Sequence, residues 1–238
     1  MEIPGRSGAI KQKPPRIAEL VGPAGAGKTM LSRVLSQRDE KILVGADLEL
    51  RKAENIPVFV GNAPFLLPIL LRRSPPSRWF TWEEIKAVVY LRGWPRVLRQ
   101  QASSNGSVVL LEHGPVFKLA TLLAFGPDRL RSGDFGTWWK NTFRQWASTL
   151  DMVIWLDASD ANLVERINTR SQRHAVKGKS EREASEFLAR YRASYAQILA
   201  ELTAYGGPTV LQFDTSQASI EQIVDELLIT LNLEPSGR

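Results

Sequence analysis

The sequence predicts an α/β protein built on a doubly wound, five-stranded parallel sheet. Strand-like and helix-like segments alternate along its 238 residues without an internal repeat, as expected when crossover helices join parallel strands. Residues 107–111 and 152–156 are continuous apolar runs, which are typical of strands buried on both faces. A glycine-rich turn joins the first strand to the first helix, at the edge where such sheets bind their ligands.

The glycine-rich turn matches the pattern G-x-x-x-x-G-K-[ST] of a phosphate-binding loop. Residues 17–21 before it favour a short strand, and residues 30–35 after it group their apolar side chains on one helical face. The phosphate-binding loop consists of Gly22, Pro23, Ala24, Gly25, Ala26, Gly27, Lys28 and Thr29. In such a loop, backbone N–H groups and the helix N-terminus hold phosphate, the lysine reaches the terminal phosphates, and the threonine hydroxyl binds Mg²⁺. We therefore expect ATP and Mg²⁺ to bind here.

The second predicted strand, residues 41–47, ends in the carboxylate of Asp47. Residues 48–80 then carry five prolines, which make a regular element improbable over this stretch. We expect an insertion here that packs over the substrate side of the sheet.

A helix is predicted to follow the insertion and to run towards Gln101. Thr81 and Glu84 have the spacing of a capping box, in which each side chain satisfies a backbone N–H of the first helical turn. Gly93 and Pro95 lie inside this helix, and proline lacks the N–H that continues the hydrogen-bond ladder. We expect the helix to be kinked or split at that point.

The remaining segments complete the alternation of strands and helices. The third strand, 107–111, is followed by Glu112, His113 and Gly114, and the fourth strand ends in Asp157. A second capping box at Ser180 and Glu183 opens a long helix, and a last strand is predicted at 209–214. The other predicted helices cover residues 115–125, 137–150, 159–171 and 220–231.

Composition limits the classes to which the protein can belong. A hydrophobic content of 43% supports one core, so we expect a single domain over residues 17–238. The net charge is +6, but +3 of it lies in residues 1–16, which are expected to form a disordered basic tail. The remaining charge is too small to indicate a nucleic-acid partner. No apolar run reaches the roughly 18 residues of a membrane span, and cysteine is absent. We expect a cytoplasmic protein that could form a homodimer.

The order of these motifs resembles the nucleoside and nucleotide monophosphate kinases, especially the thymidylate kinase and deoxynucleoside kinase branch. The resemblance covers most of residues 17–231 and is sharpest in the phosphate-binding loop and in residues 153–173, where a strand ending in Leu-Asp leads into an arginine-rich segment. It implies a hinged LID at residues 170–180 over the donor phosphates. Arg166, Arg170 and Arg173 match the family's LID arginines by position.

The spacing of these arginines supports the same role. Arg166 and Arg170 are four residues apart and share a helix face, and Arg173 continues the stripe if the helix persists. Guanidinium groups stabilise the charge that develops on a transferring phosphoryl group. The alternative is a solvated basic face without a ligand.

Two carboxylates follow strands at the ligand-binding edge. Glu112 ends the third strand, where phosphate-binding-loop proteins keep the carboxylate that holds Mg²⁺ through water, so Thr29 and Glu112 are the predicted metal residues. The kinase branch usually has arginine after this acid, whereas this chain has His113. The resemblance implies that Asp47 accepts the proton of the acceptor hydroxyl; the alternative is a turn or helix-capping aspartate.

Other phosphate-binding-loop classes lack support in the sequence. The Asn-Lys-x-Asp motif of GTPases and the Leu-Ser-Gly-Gly motif of ABC motors are absent, and Glu112-His113 does not match the paired acids of helicases. We therefore predict a kinase that transfers phosphate from ATP to a small molecule, a nucleoside or a nucleoside monophosphate, with Lys28, Asp47, Arg170 and Arg173 as catalytic residues. An ATP-binding switch that acts through a partner and a nucleic-acid 5′-hydroxyl kinase remain as alternatives.

Overall fold

The computed structural model describes residues 16–45, 57, 60, 61, 64, 78–104, 107–131, 133–172 and 174–231. Asp47, Arg173 and nearly all of the 48–80 insertion lie outside these residues, as does the expected basic tail apart from Arg16.

Five parallel strands form the sheet within the described residues, in the spatial order β2-β3-β1-β4-β5. The strands are β1 (Ile17–Val21), β2 (Ile42–Gly45), β3 (Val108–Leu111), β4 (Met152–Asp157) and β5 (Thr209–Asp214). The helices are α1 (Lys28–Arg38), α2 (Trp82–Ser104), α3 (Pro115–Phe125), α4 (Gly136–Ala147), α5 (Asp160–Thr169), α6 (Glu181–Ala204) and α7 (Ile220–Thr230). The predicted doubly wound α/β class is confirmed.

Two apolar cores cover the two faces of the sheet. One lies between the sheet and helices α2, α3, α4 and α6, and the other between the sheet and helices α1, α5 and α7, with Leu188 of α6 added. Strand β1 serves both, because alternate side chains point to opposite faces: Ile17 and Val21 belong to the first core, and Ala18 and Leu20 to the second. This central strand leads directly into the phosphate-binding loop.

No helix among the described residues is long and apolar enough to cross a membrane.

Both predicted capping boxes are present. The Glu84 N–H donates to Thr81 Oγ1 (3.3 Å) and the Thr81 N–H donates to Glu84 Oε2 (2.7 Å) at the start of α2. Ser180 and Glu183 make the same reciprocal pair at the start of α6. These local signals depend on residues three apart, so sequence alone locates them well.

Helix α2 is not split at Gly93 and Pro95 but continues to Ser104. Of the two outcomes expected from the sequence, the split is therefore wrong and the kink stays a prediction. Pro95 cannot donate to the carbonyl of Leu91, which is its partner four residues earlier in a helix. The buried indole of Trp146 on α4 supplies the missing donor, because its Nε1 lies 2.9 Å from the Leu91 oxygen. A tertiary contact therefore compensates the break in the ladder.

We expect Trp146→Phe to lower the free energy of unfolding by about 1–3 kcal/mol, because the buried Leu91 carbonyl then loses its donor. Pro95→Ala restores a backbone N–H at this position. It should therefore stabilise the Trp146→Phe protein more than it stabilises the wild type, as measured by urea unfolding. Equal gains in the two backgrounds would show that Trp146 does not act through Leu91.

The predicted helix 159–171 is shorter in the structure, and this corrects the expected arginine stripe. Helix α5 ends at Thr169, and Arg170 is its C-cap with extended backbone (ψ 149°). Arg166 and Arg170 therefore do not share a helix face. The chain turns away because Val176 packs against Ile167 of α5 and Ala184 of α6, a contact that a straight helix could not make.

Candidate functional site

The phosphate-binding loop curls tightly between β1 and α1. Gly22, Gly25 and Gly27 have φ angles of +133°, +89° and +94°, in the region that favours glycine. Neighbouring backbone also presses on the loop: a Cβ on Gly22 would stand 1.9 Å from the Leu156 carbonyl oxygen, and one on Gly25 would stand 3.0 Å from that of Leu163. The loop therefore needs glycine both for its curvature and for its packing against β4 and α5.

Lys28 is the cation at the centre of the loop. Its Nζ donates to the carbonyl oxygens of Gly22 (2.7 Å) and Pro23 (2.9 Å). The pKa of Lys28 is lowered to about 8, chiefly by burial and next by the positive charge of Arg170, while the negative charge of Glu112 partly opposes both effects. A cation in this setting gains stability from any anion that enters the loop.

Glu112 reaches the first turn of α1, as the strand-end argument predicts. Its carboxylate accepts hydrogen bonds from Thr29 Oγ1 (2.8 Å) and from Ser32 Oγ (2.5 Å). Ser32 was not among the predicted site residues, although its place three residues after Thr29 puts it on the same helix face. The two hydroxyls and the carboxylate place several oxygen atoms that could bind a metal ion beside Lys28.

Arg166 stabilises the phosphate-binding loop through hydrogen bonds. Its Nη1 donates to the Gly25 carbonyl (3.3 Å) and to Thr215 Oγ1 (3.0 Å), and its Nη2 donates to the Thr215 carbonyl (3.0 Å). The guanidinium thus links the phosphate-binding loop to the turn after β5. Its predicted contact with the nucleotide stays a prediction.

The segment predicted to form the LID, residues 170–180, contacts the phosphate-binding loop through its described residues. Val176 is 1% exposed and packs with Ile167 and Ala184, and Ala24 of the loop packs against the same cluster. Arg170 begins this segment, close enough to Lys28 for its charge to lower the pKa of Lys28. The structure therefore places Arg166 and Arg170 near the phosphate-binding loop, although not on one helix face, and the role of Arg173 stays a prediction.

His174 lies in the same predicted LID segment, and the sequence analysis did not single it out. Its Nδ1 accepts a hydrogen bond from the Val176 N–H (3.2 Å), and its ring stands edge-on to Phe187, with 5.7 Å between the ring centroids. Burial lowers the pKa of His174, and the positive charges of Arg170 and Lys28 lower it further. A neutral imidazole in this tautomer carries its proton on Nε2.

Arg192 of α6 holds the end of β4 to the start of α5. Its Nε and Nη2 donate to the two oxygens of Asp157 (2.7 and 3.0 Å), and its Nη1 donates to Asp160 (2.5 Å). A further bond joins Nη2 to the Ala158 carbonyl (2.9 Å). This forked, charge-assisted set positions the helix that carries Arg166. The sequence offered no local signal for it.

A cavity of about 400 Å³ opens between α2 and α3. His113, the residue after Glu112, is exposed on its wall and stands edge-on to Phe117, with 4.8 Å between the ring centroids. The cavity is therefore adjacent to the Glu112 end of the phosphate site. Carbon atoms contribute most of its surface, although six of its nine lining residues are polar or charged: Glu83, Glu84, Lys86, Ala87, His113, Phe117, Lys118, Thr121 and Leu122.

Glu19, in the middle of β1, is fully buried and was also missed. It accepts hydrogen bonds from the N–H groups of Val116 (2.8 Å) and Phe117 (2.9 Å) at the start of α3. The signal that could have revealed it is an acid at the centre of the otherwise apolar strand Ile-Ala-Glu-Leu-Val.

Comparison with known proteins identifies the fold. No protein-family model matches the chain, and no curated protein matches its sequence. Among solved structures, the deoxyadenosine kinase from M. mycoides with bound dATP is 15% identical with a TM-score of 0.51, over 91% of this chain and 99% of that chain. The same kinase with bound dCTP is 15% identical with a TM-score of 0.50, over 91% and 98% of the two chains. The fold implied by the sequence resemblance, that of the phosphate-binding-loop nucleoside kinases, is confirmed.

Proposed function

We propose that this protein is an ATP-dependent phosphotransferase whose acceptor is a nucleoside or a nucleoside monophosphate. The observation that carries the proposal is the desolvated ammonium of Lys28, which lies in a glycine loop beside Arg170 and the Thr29–Glu112 pair. The nucleoside-kinase fold supports the acceptor class, since the fold is shared with a deoxyadenosine kinase that holds dATP and dCTP. An enzyme that consumes ATP also fits the expected cytoplasmic location.

The triphosphate of ATP would occupy the loop. Its negative charge offsets the burial of Lys28 and the repulsion between Lys28 and Arg170, the two effects that lower the pKa of Lys28. Lys28 would then exchange its carbonyl contacts for phosphate oxygens. Arg170 and, by resemblance, Arg173 would stabilise the charge of the phosphoryl group during transfer, with the LID excluding water.

The donor set beside the loop fits Mg²⁺. Thr29 and Glu112 present a hydroxyl and a carboxylate within hydrogen-bond distance of each other, and Mg²⁺ prefers oxygen ligands. Among the described residues no cluster of three acidic, histidine or cysteine side chains could hold a metal, so phosphate oxygens and water would complete the coordination. When bound, Mg²⁺ neutralises charge on the terminal phosphates. Ser32 would orient the Glu112 carboxylate.

The acceptor would enter through the cavity between α2 and α3. Its volume of about 400 Å³, its carbon surface and its polar side chains suit an aromatic base with a sugar attached. His113 marks the end of the cavity nearest to Glu112 and thus the end where the reacting hydroxyl belongs. We assign the role of proton acceptor to Asp47, on the resemblance alone.

Transfer of labelled γ-phosphate from ATP tests the proposal across a panel of nucleosides and nucleoside monophosphates. We expect label on one member of the panel, with Mg²⁺ required. Slow ATP hydrolysis that no acceptor stimulates would favour an ATP-binding switch instead. Label on the 5′-hydroxyl of an oligonucleotide would favour a nucleic-acid kinase.

Arg170→Gln is expected to lower kcat by about 10- to 1,000-fold, because it removes a guanidinium from the transferring phosphoryl group. The thermal unfolding midpoint should hardly change, because Arg170 is exposed. Arg182→Gln is the matched control, since that arginine is 85% exposed on the first turn of α6. Equal activity of the two variants would remove Arg170 from the site.

A further inference from the structure

The burial of Glu19 needs an explanation beyond stability. Glu19 is 0% exposed in the central strand of the sheet, where it lies between Leu111 of β3 and Val153 of β4. A buried carboxylate is costly unless hydrogen bonds compensate it, and an apolar residue would fill this position more cheaply. The contacts of Glu19 therefore indicate what the acid is for.

Glu19 caps helix α3 from a different part of the chain. The N-cap residue of α3 is Gly114, which has no side chain to bond the first free N–H groups, and Pro115 occupies the first turn. The two oxygens of Glu19 cap the helix instead, because they accept hydrogen bonds from the N–H groups of Val116 (2.8 Å) and Phe117 (2.9 Å). The negative charge also suits the positive end of the helix dipole.

Glu19 also fixes the turn that precedes the helix. A Cβ on Gly114 would stand 2.7 Å from the Glu19 carboxyl carbon, so the backbone of Gly114 lies directly against this side chain. Glu112 is two residues earlier, and its carboxylate bonds Thr29 and Ser32 of α1. Glu19 itself stands three residues before Gly22, the start of the phosphate-binding loop.

We propose that Glu19 is a positioning residue for phosphoryl transfer: its ionised carboxylate anchors the turn Glu112–Gly114 and so holds the Glu112 carboxylate at the phosphate site. This role rests on the proposed function. The same strand thereby sets both the loop that binds the donor and the acid beside it. Glu19 touches neither nucleotide nor metal and acts through Glu112.

The charge of Glu19 matters to this anchor. Burial raises the pKa of Glu19 to about 7, while the N–H groups of Phe117 and Val116 and the charge of Lys118 oppose the rise. The titratable groups that face Glu19 are Lys118 on α3 and Tyr195 on α6, whose own pKa burial raises well above its usual value. A protonated carboxyl turns one oxygen into a donor, so it cannot accept both N–H groups equally well. Glu19→Gln reproduces this neutral state at constant shape.

A double-mutant cycle with Glu19→Gln and Glu112→Gln tests the proposal at pH 8. We expect Glu19→Gln alone to lower kcat by about 10- to 100-fold, with the KM for ATP within about twofold of the wild type. In the Glu112→Gln background the same substitution should lower kcat little further, because the carboxylate through which Glu19 acts is already absent. An equal loss of kcat in both backgrounds would overturn the proposal, since a purely structural role is additive.

The wild type gives a second measurement if Glu19→Gln does not fold. Its kcat should fall as the pH drops through about 7, and this fall should be absent from the Glu112→Gln protein. The same fall in both proteins would overturn the positioning role.

Amide chemical shifts separate this proposal from the proposed function. The amides of Val116 and Phe117 should titrate near neutral pH in the wild type but not in Glu19→Gln, and no substrate is needed to observe this. A wild type without any phosphotransfer, but with these titrations intact, would refute the proposed function, and the positioning role would fall with it. Amides that do not titrate in an active enzyme would refute the Glu19 anchor alone.

Discussion

Lys28→Ala is expected to lower kcat/KM for phosphotransfer by about 1,000-fold or more, because it removes the cation that meets the developing charge in a desolvated loop. The ammonium group lies 2.7 Å from the Gly22 carbonyl, at the centre of the curl that would receive the phosphates. No other lysine stands within the phosphate-binding loop. Steady-state assays with the identified acceptor and ATP measure the loss.

The fold should survive this substitution, which makes the activity loss interpretable. The pKa of Lys28 is lowered from 10.5 to about 8, so the folded protein disfavours the charged form and gains no stability from the charge at neutral pH. Because the folded state holds fewer protons between these two values, this group makes the free energy of unfolding rise with pH over that window. Lys28→Ala should abolish that rise. The thermal unfolding midpoint at pH 7 should not fall, because the substitution removes a charge that the folded state disfavours.

Lys140→Ala serves as the control, because Lys140 is exposed on α4. It should retain full activity and the same dependence of stability on pH. A Lys28→Ala protein with the kcat/KM of this control would refute the kinase proposal.

Features that depend on neighbours in the sequence could be predicted from it. The loop needs glycine at fixed offsets, and the capping boxes at Thr81 and Ser180 need partners three residues away. The position of Glu112 near Thr29 also followed from the sequence, because parallel strands bring their carboxyl ends to one edge of the sheet. In each case, local geometry leaves one arrangement favoured.

Features that depend on distant partners could not be predicted. Trp146 donates to Leu91 across 55 residues, and this contact supplies the donor that Pro95 lacks in α2. Glu19 caps α3 across 97 residues, and nothing near Glu19 in the sequence names its partner. The end of α5 depends likewise on the burial of Val176, a residue that follows the end of the helix in the sequence. Helix propensity is a weak signal that such contacts override.

Gly22→Ala is expected to lower the free energy of unfolding by about 3 kcal/mol or more, because the added methyl meets backbone that cannot move aside. The new Cβ would stand 1.9 Å from the Leu156 carbonyl oxygen, at a φ of +133° that L-residues rarely adopt. Leu156 lies in β4, which pairs with β1 along its length, so relief of the collision must distort the central sheet or the loop. Urea unfolding measures the change.

The matched control for Gly22 is Gly206→Ala, because it separates backbone strain from collision. Gly206 has a φ of +71°, but a Cβ there would meet nothing within 4 Å. We expect it to cost only about 1 kcal/mol, the price of a left-handed alanine. Nucleotide binding should be unchanged in this control. It should weaken by about tenfold or more in Gly22→Ala, since any shift of the Gly22 carbonyl displaces the Lys28 ammonium that it holds. Equal costs for the two substitutions would mean that strain alone, rather than the close approach of β4, requires glycine at the start of the loop.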